Sequence, residues 1–209
     1  MRYIKKIARA YRLLKLGSNS LAGLTELPIL ESLATHLADL GAPSSGLIDA
    51  STLDIGCGKD PKNPFQARRV FGLDIREDVD KNVKCADLTL EPIPFPDCSF
   101  DYVTAYDFME HVPRVIYLPA RRFPFVELMN EIWRTLKPRG IFLSHTPIFP
   151  FSPAFRDPTH VNILTHETFP LYFDNRQRLA GMYGFRGAFE ILDQALMPPH
   201  LISVLRKDV

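Results

Sequence analysis

Short apolar runs alternate with longer amphipathic segments through the middle of the chain. Thr52–Ile55, Arg69–Leu73 and Asp101–Tyr106 are largely apolar and stop at a glycine or an aspartate, as buried strands do. Asn82–Cys85 gives a weaker strand signal, and Ile141–Ser144 gives a fifth. Strands that alternate with helical segments are typical of a mostly parallel sheet with helices on both faces.

Helical spacing of apolar positions predicts the connecting elements. One helix should end near Lys137–Gly140, where a proline and a glycine follow each other closely. Its buried face is marked by Phe125, Leu128, Ile132 and Leu136. An earlier helix is predicted over Pro28–Leu40, because proline is tolerated in a first helical turn. Gly187–Leu192 and Leu201–Arg206 are predicted to pair as a C-terminal antiparallel hairpin, so the fold class is α/β with a Rossmann-like twisted sheet.

Chain length and composition indicate one globular domain. The 209 residues suffice for a single large core. We divide it into an N-terminal helical cap (1–46), a core (50–146), and a loop with the terminal hairpin (147–209). A net charge of +1 gives no overall field for nucleic acid. Three widely spaced cysteines and the lack of an 18-residue apolar run favour a cytoplasmic protein without a membrane-spanning helix.

Residues 1–16 are basic and leave two interpretations open. Apolar residues recur at helical spacing at Ile4, Ile7, Tyr11 and Leu14, with lysines and arginines on the other faces. A helix of this kind packs on its own domain in most proteins. The alternative is peripheral contact with an anionic membrane surface or with an acidic partner.

The first predicted strand ends in a glycine turn, Gly56-Cys57-Gly58. Such a turn exposes backbone N–H groups and has no side chain that would block a ligand. A dinucleotide site also needs a glycine at position 61 and a helix that receives the pyrophosphate. Position 61 is proline, and Pro64 follows. The turn therefore argues against NAD and FAD and favours a cofactor without phosphate.

Acidic residues end the next two strands. Asp74 ends the second strand, where a carboxylate can accept hydrogen bonds from both ribose hydroxyls. Asp87 and Leu88 follow the third strand, where an acid can accept from an adenine amino group and an apolar side chain can cover the ring. Recognition of adenine and ribose without a phosphate-binding lysine suits an adenosine that carries a sulfonium group.

These pieces occur in an order that resembles the class I S-adenosylmethionine-dependent methyltransferases, in particular their small-molecule branch. The resemblance covers about residues 50–146. The segments that carry it are Leu53–Gly58, Gly72–Asp74, Ala86–Leu88, Ile93–Asp101, Glu110–Val112 and Leu136–Gly140. Lys59 stands where many members have a third glycine, and the segment between Gly58 and Asp74 is too short and too rich in proline for a full crossover helix.

The resemblance implies a role for residues at the methionine end of S-adenosylmethionine. Gly56, Cys57 and Gly58 are expected to pass against the methionine part, and Asp54 to orient its amino group. Tyr106 is expected near the methionine carboxylate or the sulfur. At the adenosine end, the resemblance puts Asp74 on the ribose.

The same resemblance completes the adenosine end of the site. Ile75 is expected to lie against the adenine, while Asp87 and Leu88 are expected to border it. Glu110-His111 is interpreted mainly as a structural signature, with direct catalysis by His111 as the less favoured reading. The fold implied is the Rossmann-like sheet that the apolar pattern already predicts.

The acceptor is expected beyond the carboxyl ends of the strands, under the loop that follows the fifth strand. This loop is rich in polar and aromatic residues, and Asp157 and His160 are three positions apart. We predict His160, Asp157 and His145 as catalytic residues, with the carboxylate orienting an imidazole base. Two alternatives remain. The loop is simply hydrogen-bonded and packed, or Asp157, His160 and His145 bind a divalent metal; the primary prediction contains no metal.

Several aromatic residues and three arginines fall in the connections around this position. The arginines Arg114, Arg121 and Arg122 lie in an insertion at about 113–124, which would cover the pocket and bind an anionic group or be a solvated loop. The aromatics would wall an apolar acceptor or pack in the core. They are Tyr117, Phe123, Phe149, Phe151, Phe155, Tyr172 and Phe173.

The favoured function is methylation of a small-molecule or glycan-type acceptor at oxygen. An RNA methyltransferase is the enzymatic rival, but residues beyond the basic N-terminus carry no basic stripe. A non-catalytic protein that binds S-adenosylmethionine is the third hypothesis, because a fold alone does not prove chemistry.

Overall fold

A computed structural model describes residue 7 and residues 21–39, 49–117 and 119–208. Residues 21–25 are helical and are labelled α1. The other helices are α2 (Leu33–Asp39), α3 (Pro124–Thr135), α4 (Pro153–Arg156) and α5 (Thr168–Tyr172), with 3-10 turns at Val79–Lys81, Met109–His111 and Leu179–Tyr183. The strands are β1 (Ser51–Ile55), β2 (Arg69–Asp74), β3 (Val83–Cys85), β4 (Phe100–Tyr106), β5 (Ile116–Tyr117), β6 (Arg121–Arg122), β7 (Leu136–Pro147), β8 (Phe189–Met197) and β9 (His200–Lys207).

Seven strands form one sheet in the order β3-β2-β1-β4-β7-β9-β8. Strands β1, β2, β3, β4 and β7 pair in parallel, whereas β9 is antiparallel to both β7 and β8. The chain leaves β1 toward β2 and β3 and then returns to the other side of β1 as β4. The strand order therefore reverses between β1 and β4, which is the position where open α/β sheets bind their ligands.

The two faces of the sheet carry separate apolar layers. Met129 and Ile132 of α3 are fully buried against one face, together with Leu53 and Ile55 of β1. Leu37 of α2 is buried in the layer on the other face. The prediction of a mostly parallel sheet with helices on both faces is confirmed. No helix among the described residues has the length and apolar character that crossing a bilayer requires.

The C-terminal hairpin is confirmed and is longer than predicted. It comprises β8 and β9, which the short turn at Pro198-Pro199 connects. The helix predicted over Pro28–Leu40 begins only at Leu33. Its first part is extended instead, because Ile29 forms a bridge with Leu196 and the neighbouring Leu30 N–H donates to the Leu196 carbonyl at 2.7 Å.

The helix predicted to end near Lys137–Gly140 ends at Thr135, and β7 begins at the next residue. The insertion at 113–124, predicted as a cover over the pocket or a solvated loop, contains the two-stranded β5–β6 ribbon. The predictions for residues 1–16 fall outside the described residues, except that Ile7 is helical and exposed.

The connection between β1 and β2 contains no helix. Prolines at positions 61 and 64 explain this, because proline removes a backbone donor and disfavours the helical conformation of its predecessor. Phe65 covers this part of the sheet instead: it is fully buried and stacks on Tyr102 with ring centroids 4.2 Å apart. One aromatic side chain thus does the packing that a crossover helix usually does.

We expect Phe65→Ala to lower the free energy of unfolding by about 3–5 kcal/mol, because a buried ring leaves a cavity that a short, proline-containing loop cannot fill. Urea unfolding followed by circular dichroism measures this. Tyr117→Ala is the control, because that side chain is 70% exposed, and it should change the free energy by less than about 1 kcal/mol. Equal effects of the two substitutions would contradict the packing role of Phe65.

Candidate active site

The glycine turn after β1 is tied to the end of β2 by backbone donors. The N–H groups of Gly56 and Cys57 both donate to the Leu73 carbonyl, at 2.8 and 3.1 Å. The Gly58 N–H donates to Asp74 Oδ2 at 2.9 Å. Gly56 has a φ of +67°, and a Cβ there would lie 2.2 Å from the Phe108 ring. Only glycine fits this position, for both backbone and packing reasons.

A crevice of about 420 Å³ opens beside this turn at the carboxyl edge of the sheet. This volume lies in the range of small-ligand sites. Five of the predicted cofactor residues line it together: Gly56, Asp74, Ile75, Asp87 and Leu88. The sequence prediction did not include Leu73, Arg76, Ala86, Thr89, Asp107, Phe108, His111 and Val112, which also line it.

Two strand-end carboxylates face this crevice. Asp74 is only 9% exposed, and its Oδ1 accepts from the backbone N–H and the Nε of Arg76, each at 3.1 Å. Asp87 Oδ1 accepts from the Thr89 N–H at 2.9 Å, which leaves its Oδ2 without a partner among the hydrogen bonds of the described residues. A carboxylate has about four acceptor positions, so both groups retain capacity for hydroxyl or amino donors.

Asp54 is buried under the turn and does not line the crevice. It is 1% exposed, and its oxygens accept from the Thr104 hydroxyl at 2.7 Å and the Lys62 N–H at 2.8 Å. Burial raises the pKa of Asp54 from 3.8 to about 6, although both hydrogen bonds act in the opposite direction. In this structure Asp54 holds the loop of residues 56–62 against β4.

The remaining predicted cofactor residues also lie outside the crevice lining. Tyr106 packs in the layer on the α2 face, with Lys62 Nζ 4.6 Å from its ring centroid, and burial raises the pKa of its phenol. Cys57 is buried, and burial raises the pKa of its thiol to about 11. Gly58 reaches the crevice only indirectly, through its hydrogen bond to Asp74.

Asp107, directly after β4, joins two histidines from other strands. Its Oδ1 lies 2.9 Å from His200 Nε2 and 3.6 Å from His145 Nδ1. The two imidazoles stack with centroids 4.2 Å apart, and His145 Nδ1 is buried without a hydrogen-bond partner. Burial alone would raise the pKa of Asp107, but the interactions with His145 and His200 outweigh it and hold that pKa well below its usual range. The carboxylate is therefore ionised at neutral pH.

A second group of titratable side chains lies next to the first. His160 Nε2 is 4.0 Å from Oε1 of Glu110 and 4.0 Å from Oδ2 of Asp157. His111 contacts His160 edge to face, with centroids 4.7 Å apart. Glu110 is 1% exposed, and burial raises its pKa. The predicted Asp157–His160 pair is thus close but beyond hydrogen-bond distance, and the carboxylate buried beside His160 is Glu110.

The structure separates His145 from the two residues with which it was grouped. His145 lies with Asp107 and His200, whereas Asp157 and His160 lie with Glu110 and His111. His200 was missed because it follows the Pro-Pro turn of the hairpin, about forty positions from the other loop residues in sequence. A predicted hairpin that reached this turn would have included His200 in its second strand. Pairing of that strand with the strand of His145 would then have placed the two histidines close together.

A second cavity has a volume of about 560 Å³. The crevice includes His111 and Val112, and the cavity includes Arg114 and Val115 of the same segment. The cavity is mainly apolar, with several aromatic residues and a few polar groups. Its lining includes Phe123, Phe125, Thr165, Glu167, Tyr172, Phe173 and Tyr183. Of the aromatics predicted to wall an acceptor, Phe123, Tyr172 and Phe173 lie here.

Comparison with known proteins agrees with this architecture. Residues 53–144 match the family described as Methyltransferase domain. Among solved structures, a SAM-dependent methyltransferase from Archaeoglobus fulgidus is 18% identical, with a TM-score of 0.52 over 84% of this chain and 93% of that one. The corresponding enzyme from Aquifex aeolicus is 16% identical, with a TM-score of 0.52 over 84% and 88%.

A third solved structure contains ligands. It is 1,6-didemethyltoxoflavin-N1-methyltransferase from Burkholderia thailandensis with 1,6-didemethyltoxoflavin and S-adenosylhomocysteine, 16% identical, with a TM-score of 0.52 over 98% of this chain and 90% of that one. At these identities the structural likeness shows the fold. Among curated proteins, none matches the sequence.

The family match spans the glycine turn, both crevice carboxylates and the end of β4. Residues 53–144 thus resemble the methyltransferase domain family, and the fold of the chain is that of S-adenosylmethionine-dependent methyltransferases. The resemblance that the sequence motifs indicate is confirmed over these residues.

The buried Asp54 should make stability depend on pH. Because its folded pKa of about 6 exceeds the ordinary 3.8, the folded state binds the proton more tightly, and stability falls as pH rises from about 4 to about 6. Asp54→Asn keeps both hydrogen bonds by donating to the Thr104 hydroxyl, and it should remove up to about 3 kcal/mol of this dependence.

Urea unfolding of the cofactor-free protein between about pH 4 and pH 8 measures this difference. Asp80→Asn, at an exposed acid, is the control and should give a curve parallel to that of the wild type. A parallel curve for Asp54→Asn as well would show that Asp54 titrates normally.

Proposed function

We propose that this methyltransferase transfers the methyl group to a hydroxyl of a small-molecule or glycan-type acceptor. The observation that carries the proposal is the Asp107–His145–His200 group, because Asp107 both lines the crevice and contacts His200. Methyl transfer to a hydroxyl requires removal of its proton, whereas many nitrogen acceptors need no base. An imidazole held by an ionised carboxylate supplies that function.

The crevice residues fit S-adenosylmethionine. We assign the ribose to Asp74 and the adenine border to Ile75, Asp87 and Leu88, because the two carboxylates face the same cavity and retain acceptor capacity. Asp74 shares one oxygen with the exposed Arg76 side chain, which can rotate away when a hydroxyl donates there. When bound, the cofactor supplies a methyl group on a sulfonium, which is already activated for displacement.

The methionine end is assigned through the turn. Gly56 lines the crevice, and Gly58 fixes the Asp74 carboxylate. Asp54, Cys57 and Tyr106 act on this end from beneath, by holding the turn and the end of β4 in place. A direct contact of Asp54 with the amino group of the cofactor would require the Lys62 loop to move, because Asp54 is covered by that loop.

For proton transfer we assign His145 as the base. Its Nδ1 is buried and lies 3.6 Å from Asp107 Oδ1, so the carboxylate stabilises the imidazolium that forms when Nε2 accepts the proton. His200 positions Asp107 by its hydrogen bond and by stacking on His145. The reacting hydroxyl must reach a position about 3 Å from the methyl carbon, in line with its bond to sulfur.

The acceptor itself is assigned to the second cavity, which is lined by the segment that follows the crevice residues His111 and Val112. Tyr172 and Tyr183 line it, and Arg114 and Glu167 add charged side chains. A volume of about 560 Å³ holds one or two rings rather than a polynucleotide. The Burkholderia neighbour, an N1-methyltransferase solved with 1,6-didemethyltoxoflavin, supports a small-molecule acceptor, whereas the choice of oxygen rests on the histidine group alone.

The cysteines support a reducing, cytoplasmic location as part of the proposal. Cys57, Cys85 and Cys98 are all free of disulfide bonds. A reducing compartment keeps such thiols unpaired.

Transfer of labelled methyl groups from S-adenosylmethionine tests the function directly. The protein is incubated with pooled small metabolites, with oligosaccharides and, separately, with total RNA. We expect label in a small molecule or glycan, as a methyl ether identified by mass spectrometry. Label in RNA would support the rival enzyme, and label only on nitrogen would contradict the role of the base.

Asp74→Ala should weaken binding of S-adenosylhomocysteine by about tenfold or more, because a carboxylate that binds hydroxyls contributes about 1.5–3 kcal/mol. Titration calorimetry measures the affinity. Asp80→Ala removes an exposed acid outside the crevice and should leave it unchanged. Unchanged affinity in Asp74→Ala would exclude Asp74 from ribose binding.

His145→Gln should lower kcat for the identified acceptor by about 100-fold or more, while the affinity for S-adenosylhomocysteine stays within about twofold. It should also abolish the loss of rate at acidic pH that protonation of an imidazole base causes. His166→Gln removes a histidine outside both groups and is the control. A full rate across the pH range in His145→Gln would remove the base from the mechanism.

A further inference from the structure

The Glu110–His111–His160 group is arranged differently from the Asp107 group. In the Asp107 group a direct hydrogen bond of 2.9 Å joins carboxylate and imidazole. In the Glu110 group His160 Nε2 stands 4.0 Å from carboxylate oxygens on two sides. The nearest ligand atoms of Glu110, His111 and His160 all lie within 4.8 Å of one another. These separations are too long for hydrogen bonds and leave a gap between the ligand atoms.

The buried carboxylate of this group is incompletely paired. Glu110 is 1% exposed, and its Oε1, the oxygen that faces His160, has no hydrogen-bond partner. Buried acceptors are paired in the great majority of native proteins, because an unpaired one costs free energy. A cation in the gap would pair Glu110 Oε1.

The outer atoms of the same residues are held by hydrogen bonds. His111 Nδ1 lies 3.1 Å from Thr159 Oγ1 and 3.3 Å from the Thr159 carbonyl. Glu110 Oε2 accepts from the Thr146 hydroxyl at 2.7 Å. Asp157 Oδ1 accepts from the Thr159 N–H and hydroxyl at 2.8 and 2.7 Å. Metal ligands are oriented in this way by partners that bind their second donor atoms.

We propose that Glu110, His111 and His160, with Asp157 as a fourth ligand, bind a divalent first-row transition cation at the rim of the cofactor crevice. Two imidazoles and two carboxylates suit Zn²⁺ or Mn²⁺ better than Mg²⁺ or Ca²⁺, which prefer oxygen ligands. Bonds of about 2.0–2.2 Å bring neighbouring ligand atoms to about 3–3.5 Å, so the side chains of Glu110, His111 and His160 need to move inward by less than about 1 Å. Asp157 joins them from the far side of His160, 4.0 Å from its Nε2.

The metal alternative in the sequence analysis had Asp157, His160 and His145 as ligands. The proposed site keeps Asp157 and His160, and it has Glu110 and His111 in place of His145. His111 also lines the crevice, so the ion would lie near the bound cofactor, to which the acceptor oxygen must come. There it would polarise the acceptor oxygen and make its proton easier for His145 to remove. This role in catalysis rests on the proposed function, whereas the binding of the ion does not.

Titration calorimetry of the chelator-treated full chain with Zn²⁺, Mn²⁺ and Mg²⁺ chlorides tests the site without any acceptor. We expect one equivalent of Zn²⁺ or Mn²⁺ to bind, with Mg²⁺ much weaker, and the thermal midpoint to rise by about 5 °C at saturating metal. Glu110→Gln and His160→Gln should each weaken binding by about tenfold or more. His166→Gln and His200→Gln are controls that keep the ligands intact.

Absence of binding at 1 mM metal, on the order of the weakest specific sites, would overturn the proposal. The proposal would also be overturned if His160→Gln bound the metal as tightly as the wild type, or if only His200→Gln lost metal binding. Circular dichroism confirms folding, and His160→Gln decides the matter if the buried Glu110→Gln variant does not fold. If the protein binds the metal and His145→Gln keeps full activity, the metal site is supported and the role of His145 as base is contradicted.

Discussion

The crevice depends on the attachment of the glycine turn to the end of β2. Two N–H groups of the turn donate to Leu73, and a third donates to the Asp74 carboxylate. One short segment therefore sets both the floor of the crevice and the direction of the carboxylate that faces it. Gly56 also has to remain without a side chain, because Phe108 occupies the adjacent space. Hydrogen bonding and close packing thus act on the same few atoms.

The apolar pattern predicted the central strands well because each is a short buried run that a glycine or aspartate ends. Asp74 and Asp87 were predicted at the crevice for a related reason, since the carboxyl ends of parallel strands share one edge of the sheet. It was harder to predict which face of the sheet a given side chain occupies. Asp54 and Tyr106 lie on the α2 face, and alternation along a strand does not say on which face a cavity opens.

Residues joined by distant segments could not be paired from spacing. Asp157 and His160 are close in sequence, but their side chains are 4.0 Å apart and are not hydrogen-bonded to each other; only the His160 N–H donates to the Asp157 carbonyl, at 3.2 Å. His145 meets His200 through the antiparallel register of β7 and β9, which no local motif records. The burial of Glu110 follows from the 3-10 turn after β4, where sequence analysis saw only a structural signature. Tertiary contacts decide these three cases.

The hairpin at the end of the chain has a consequence for engineering and for evolution. His200 opens β9 and pairs across the sheet with Pro147, in a register that alternates side chains between the two faces. A shift of β9 by one residue against β7 would turn this imidazole away from Asp107. Because β9 lies between β7 and β8 in the sheet, shortened forms and fusions that lack it would lose both the pairing of β8 and the contact of His200 with Asp107.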